Sequence, residues 1–351
     1  MAYISFQPKD YFNTLLWTGD GASSKSLTGT NFEPNWTWIK RRSDAQAHSI
    51  TDSVRGVTKS LRSDSTAAED TNNANGYVTS FDSDGFTVAK GSDPSRTNTS
   101  GATYVGWNWK ANGAGVSNTD GSITSTVSAN TTSGFSIVKY TGTGANATVG
   151  TGLGVAPKIV LVKDLSASAS WRMYTEMTGN QSQLALDQNS AADSGNTTMW
   201  NSTSPTNTTF SIGTHPNVNT SSNNYIAYCF SPVRGFSSMG SYIGNGSADG
   251  SFIYTNGMKP SWLMIKRTDL ADSWFMYDNK RSSFNVVDDY LIANGSGAEV
   301  STSAVNLDFL SNGFKIRNTD GGHNNSGGTY IYIAFAESPI VSSNGVPATA
   351  R

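Results

Sequence analysis

Three Gly-x-Gly steps, each led by an aromatic residue, are the first features that could carry chemistry: Trp17 with Gly19 and Gly21, Tyr140 with Gly142 and Gly144, and Tyr242 with Gly244 and Gly246. Glycines at this spacing cradle phosphates when a helix and a Lys-Ser/Thr pair follow. Neither follows here, and the steps read as turns between strands. The histidines, His48, His215 and His323, share no common place and form no His-x-x-x-His pair, so they give little sign of a metal centre. A glycosidase-like pair of acids is not expected. Acidic residues are few, none stands in an apolar strand context, and none recurs throughout the chain. Asp82 with Asp84, and Asp288 with Asp289, come nearest to clusters, and turn formation explains them as well as a loosely held calcium would. There is no Gly-x-Ser-x-Gly elbow, and the single cysteine, Cys229, rules out an intramolecular disulfide or a Cys-based metal site. No catalytic, cofactor or metal residue is assigned.

The residues that do form a pattern are aromatic, and the pattern is a repeat. A block of roughly ninety residues occurs three times, from Trp17 to Trp109, Tyr140 to Phe230 and Tyr242 to Phe335. After each Gly-x-Gly comes a Pro-led apolar run ending in lysine: Pro34 to Lys40, Pro157 to Lys163 and Pro260 to Lys266. A phenylalanine step follows (Phe86, Phe210, Phe314), and an alternating aromatic strand closes each block. Eight residues past each lysine stand His48, Trp171 and Trp274; three further on are Thr51, Tyr174 and Tyr277. Trp171, Tyr174, Trp274 and Tyr277 could form a sugar-stacking face; the commoner role of such pairs is core.

These landmarks need strands to position them. Period-two alternation places Val105, Trp107 and Trp109 on one face and Tyr104, Gly106 and Asn108 on the other, which predicts the bulky set on the core side. The Pro-led runs are apolar throughout, as central strands covered on both faces are. Asn-Gly and Asp-Gly turns recur at short intervals, at Asn75-Gly76, Asp84-Gly85, Asn256-Gly257 and Asn312-Gly313. The reading is all-β: three tandem antiparallel β-sandwich domains, jelly-roll or concanavalin-like, set in a rod or curved stack. Residues 13–112, 113–236 and 237–338 are the three copies, the second carrying an added strand or hairpin near Ser122–Ala129. Residues 1–12 form an apolar N-terminal docking segment, in which Tyr3, Phe6, Tyr11 and Phe12 would anchor the chain, and 339–351 form a polar tail.

Residues 6–19 (Phe-Gln-Pro-Lys-Asp-Tyr-Phe-Asn-Thr-Leu-Leu-Trp-Thr-Gly), the stretch Phe32 to Ser43 and the closing Tyr104 to Lys110 resemble a concanavalin-like β-sandwich repeat of tail and fibre proteins from marine tailed bacteriophages. The resemblance runs through all three copies and is strongest in the first. It implies a virion component and brings no catalytic residues with it.

Net charge is −2 with 14% charged residues, which argues against nucleic acid as a partner. No stretch approaches the length of a membrane span, and the start lacks the features of a signal peptide. The function expected is a non-enzymatic virion structural protein, at the tail first, as a fibre or receptor-recognition component. Capsid decoration or a head fibre is one alternative, and a polysaccharide-degrading tailspike enzyme another. Expected partners are other virion proteins, further copies of the chain and a host surface glycan; no cofactor and no membrane insertion are expected.

Overall fold

The computed structural model describes residues 7–93 and 96–339. The protein is all-β, built from antiparallel sheets, and none of its described helices is long and apolar enough to cross a membrane. The same four-strand order appears three times: opening, closing, Pro-led and fourth strand. In the first repeat these are Phe12–Thr18, Thr103–Trp109, Trp36–Arg41 and Ser49–Asp52. In the second they are Phe135–Thr141, Asn224–Phe230, Ile159–Asp164 and Arg172–Thr175. In the third they are Ser237–Ile243, Thr329–Pro339, Met258–Arg267 and Trp274–Asp278.

A smaller second sheet lies across each first one. It comprises Ser24–Thr28, Gly85–Ala89 and Tyr77–Asp82 in repeat one, Ala147–Gly150 and Thr209–Ile212 in repeat two, and Phe252–Tyr254, Gly313–Ile316 and Leu307–Leu310 in repeat three.

The spacing of the landmarks follows from one aromatic cluster formed in every repeat. The opening aromatic stacks on the tyrosine of the closing strand: Trp17 on Tyr104 at 5.3 Å, Tyr140 on Tyr225 at 5.2 Å and Tyr242 on Tyr330 at 4.9 Å. The landmark phenylalanine meets the opening aromatic edge-on, at 6.0, 6.1 and 6.2 Å for Phe86, Phe210 and Phe314. Each polar tip is satisfied by the segment just before the closing strand. Trp17 Nε1 donates to Thr97 O at 3.0 Å, Tyr140 Oη to Val218 O at 2.7 Å and Tyr242 Oη to His323 O at 2.8 Å. His323 therefore occupies the place of Thr97 and Val218, a place that neither His48 nor His215 shares.

A buried asparagine follows in all three: Asn98, Asn219 and Asn324 accept the amides of Asp20, Thr143 and Asn245 at 3.0, 2.7 and 2.9 Å. The first glycine of each Gly-x-Gly is required because the chain passes too close for a side chain. A Cβ would lie 2.1 Å from Thr99 O at Gly19, and 2.3 Å from Thr220 O and Asn325 O at Gly142 and Gly244.

The front sheets bury both faces. Tyr104, Ile39, Trp17, Phe86 and Val88 form the interior of the first sandwich. Val138, Tyr140, Phe210 and Tyr225 do so in the second, and Leu263, Phe314 and Tyr330 in the third. The bulky alternate set belongs to a fourth core shared by all three repeats. Trp36, Trp38, Trp107 and Trp109 meet Ile159, Leu161, Tyr228 and Phe230, together with Trp262, Met264, Ile333 and Phe335. Trp36 lies 4.6 Å from Tyr228, and Trp109 lies 5.7 Å from Trp262. The bulky faces thus look inward onto each other, away from the sandwich interiors. The first and third repeats also touch directly, so the arrangement is a closed group of three and not the expected rod or curved stack.

A shared core couples the repeats energetically. Trp109→Ala removes an aromatic that packs against the third repeat as well as its own sheet, and should cost ~3–5 kcal/mol. Denaturant unfolding followed by tryptophan fluorescence and by far-ultraviolet circular dichroism should show one coincident transition, shifted as a whole in the variant. Separate transitions for the repeats would contradict the shared core.

Candidate functional site

The sites with the most built chemistry lie where one repeat meets the next. Each junction is stitched by the same three hydrogen bonds, and they run cyclically: repeat two onto one, three onto two and one onto three. The side chain eight residues past the landmark lysine donates across the junction. Trp171 Nε1 donates to Arg62 O at 2.7 Å, Trp274 Nε1 to Ala185 O at 2.9 Å and His48 Nε2 to Ile292 O at 3.0 Å. Two residues earlier, the amides of Ala169, Asp272 and Gln46 donate to Thr66 O, Asn189 O and Ser296 O at 2.9, 2.7 and 2.8 Å. In return, the amides of Glu69, Ala192 and Glu299 reach the carbonyls of Leu165, Thr268 and Arg42 at 3.2, 2.9 and 2.9 Å. A head-to-tail interface that closes after three steps is the geometry of a cyclic trimer, here formed within one chain.

Two of the landmark lysines, Lys163 and Lys266, reach across these junctions. Lys163 Nζ donates to Thr66 O at 3.1 Å and Ala169 O at 2.8 Å; Lys266 Nζ donates to Asn189 O at 3.2 Å and Asp272 O at 2.8 Å. Lys40 Nζ donates to Arg41 O at 2.7 Å. Burial pushes all three ammonium groups down to about 8.

Two junctions also hold a buried acid. Asp52 takes Tyr228 Oη at 2.7 Å from the second repeat and pairs with Arg55, which also meets Glu69 at 3.1 Å. Asp278 takes Trp107 Nε1 at 3.0 Å from the first repeat and pairs with Arg281 at 2.5 Å, which meets Glu299 at 3.1 Å. At the third junction the matching residues are Thr175 and Ile333, so the donor and the acid are both absent from it. The acids thus do stand in buried strands, contrary to the sequence reading. An Asp-x-x-Arg spacing starting on the last residue of the fourth strand in repeats one and three was the available signal. Their charges are neutralised by arginine in place, and desolvation is outweighed for Arg55 and Arg281 by the carboxylates, which raise both guanidinium pKa values.

His48 departs from its two tryptophan counterparts. Trp38 Nε1 donates to His48 Nδ1 at 2.8 Å, so the proton of the neutral ring sits on Nε2, facing the third repeat. Burial pushes this imidazole down to about 4.

The sequence-expected site residues fall into place differently. Trp171 and Trp274 are buried in the shared core, while Tyr174 and Tyr277 are buried inside their own sandwiches, Tyr174 edge-on to Trp200 at 6.0 Å. None of the four offers a face to a sugar. Bulky rings at these positions are drawn in because the fourth strand has both faces covered. Tyr3 and Phe6 lie outside the described residues. Phe12 is not a surface anchor: it is core, stacked at 5.2 Å on Phe335 of the third repeat. Tyr11 is half-buried between Phe236 at 6.2 Å and Lys110 at 5.6 Å.

Asp84 caps the amides of Gly29 and Asn31 at 3.2 and 2.6 Å, and Asp82 accepts Thr87 Oγ1 at 2.8 Å, so these acids shape turns. No group of three potential metal ligands occurs among the described residues. Two clefts open at junctions. One, of about 190 Å³, is bordered by Lys9, Asn13, Ser261, Asn279 and Lys280; the other, of about 480 Å³, by Met177, Ser241, Ile243 and Thr268. No carboxylate or histidine lines either cleft.

A family model for a domain of unknown function, DUF7483, matches residues 7–339, all three repeats and their junctions together. The chain belongs to the DUF7483 family. Its unit is therefore the closed group of three and not the single sandwich. No curated protein and no solved structure matches this DUF7483 chain.

Two outcomes follow from the junctions. Asp278→Ala leaves the Arg281 charge buried and Trp107 Nε1 without an acceptor, and should cost ~3–5 kcal/mol in denaturant unfolding. For His48, the folded pKa lies below the unfolded value near 6.5, so its contribution to stability is complete above that pH. It is lost as pH falls toward about 4. Trp38 with His48 corresponds to Leu161 with Trp171 and to Met264 with Trp274. The double variant Trp38→Leu/His48→Trp should fold and lose the part of the acid-sensitive step that His48 supplies, while His215, whose pKa burial also lowers, and the shifted carboxylates keep theirs. His48→Trp alone should overpack and cost ~1–3 kcal/mol. Thermal melts between pH 4 and 7 distinguish these outcomes.

Proposed function

We propose that this chain is a non-enzymatic structural protein of a bacteriophage particle, placed at the tail as a fibre or tail-associated component. The observation that carries the reading is the fusion of three sandwiches through one aromatic core with cyclic junctions. That construction suits a stiff, passive body that transmits load or spaces other proteins. The buried acids, lysines and histidine at the junctions are held by structural partners, which supports assembly and not turnover. The resemblance of residues 6–19, 32–43 and 104–110 to marine phage tail and fibre repeats supplies the particle. Partners in this reading are other virion proteins and further copies of the chain. A host glycan would need side chains other than Trp171, Tyr174, Trp274 and Tyr277, which are core.

The test is gold-labelled antibody against the purified chain, applied to intact particles of a phage that encodes it. Label on tails is expected. Label on the capsid would move the role to decoration, and particles without label or mass-spectrometric signal would end the virion reading. Release of reducing sugar from host envelope by the purified chain would overturn the non-enzymatic role.

A further inference from the structure

The second and third repeats treat the same sheet edge differently. In the second, the opening strand is not at the edge. The inter-repeat segment lays Ser125–Asn130 antiparallel along it, with Val116–Asn118 outside that, pairing Ile137 with Ser128 and Lys139 with Thr126. The same segment covers the second sheet, where Ile123 bridges Val149 and Ser122 bonds Thr148. In the third repeat, among the described residues, the opening strand Ser237–Ile243 is the last of its sheet, and Phe252–Tyr254 is the last of the other.

Strand geometry fixes which groups are left over. Gly244 N–H bonds Gly328 O at 2.9 Å, so Tyr242 and Gly240 bond the closing strand, while Met239 and Ser241 point their amides and carbonyls outward. In the first repeat the corresponding edge is blunted, because Asn13 Oδ1 accepts the outward amide of Thr14 at 2.9 Å.

The third edge also carries apolar side chains that its siblings lack. Where repeats one and two have Thr18 and Thr141 after the opening aromatic, repeat three has Ile243, 65% exposed. The residues flanking the partner of the landmark phenylalanine are Ser26 and Thr28, then Thr148 and Gly150; in repeat three they are Phe252 and Tyr254, 48% and 52% exposed. Neither edge strand contains a charge or a proline, the devices that keep bare edges apart.

We infer that this edge is an interface for a second copy of the chain, Ser237–Ile243 pairing antiparallel with its own counterpart about a two-fold axis. The strand laid on the second repeat shows that this fold accepts an antiparallel neighbour there. A two-fold supplies that polarity, closes both bare edges at once and sets Ile243 against its counterpart on one face of the joined sandwich, with Phe252 and Tyr254 of the two copies on the other face. Pairing about a two-fold uses this edge in both chains, so the product is a closed dimer and not a filament. This interface stands independently of whether the protein rides on a phage particle.

Sedimentation equilibrium of the full chain across a concentration series tests it. The mass should rise from 37.3 kDa toward twice that value, and the Ser241 amide should become slower to exchange as the dimer fills. Ser241→Pro/Ile243→Lys removes an outward donor and adds a charge without touching the bonds to the closing strand. It should weaken dimerisation at least about tenfold at unchanged melting temperature. If that variant misfolds, Tyr254→Ser should weaken the dimer in the same direction. Leu16→Lys, on the edge of the first repeat, should leave the dimer intact. A chain that stays monomeric at its highest soluble concentration, or a dimer that survives the folded edge variants, would overturn the inference.

Discussion

Every front sheet in this protein has apolar side chains on both of its faces, and a sandwich can cover only one. The second sheet of each repeat shields the opening tyrosine–tryptophan side. The opposite side, bearing Trp107 and Trp109, Tyr228 and Phe230, or Ile333 and Phe335, has no second sheet of its own repeat to cover it. Fully burying side chains of this size is worth about 1.5–3 kcal/mol each. Leaving three such faces in water would outweigh the few kcal/mol by which a domain of ninety residues is stable. Three sheets turned inward solve the problem together, and the ring of hydrogen bonds follows from where that turn places the chain.

Apolar packing alone would tolerate several ways of nesting three similar faces. The directional groups at the junctions select one. Each ring N–H finds a carbonyl of the preceding repeat, and at two junctions a buried acid accepts a Tyr or Trp donor from its neighbour. An acid without that donor, or a donor without that acid, would leave a polar group stranded in a dry core. At the remaining junction the matching positions hold Thr175 and Ile333, so neither an acid nor a ring donor is left without its partner.

Much of this was legible in the residues. The repeat, the central place of the Pro-led run and the alternation of the closing strand come directly from spacing, because period two and the glycine turns are local properties. Which face belonged to which core was not. Alternation says that Trp107 and Tyr104 point opposite ways, but it carries no information about what lies beyond either face. The expectation of a rod failed for that reason, while Trp171 and Trp274 take the commoner, core role and leave the sugar-stacking alternative without a face. A matched aromatic is the same residue whether it awaits a sugar or a neighbouring repeat. The Asp-x-x-Arg acids escaped notice because they recur in two copies instead of three, and the exception marks the junction that uses a different solution.

A ring assembled from three separate chains must carry any substitution at all three contacts simultaneously. Joining the copies in one polypeptide lifts that restriction. Trp38 with His48 can replace Leu161 with Trp171 at a single seam, giving one contact a proton-sensitive ring where its two sisters have a tryptophan that does not titrate. Covalent continuity thus converts a symmetric architecture into one with three individually adjustable faces, each free to acquire its own neighbour.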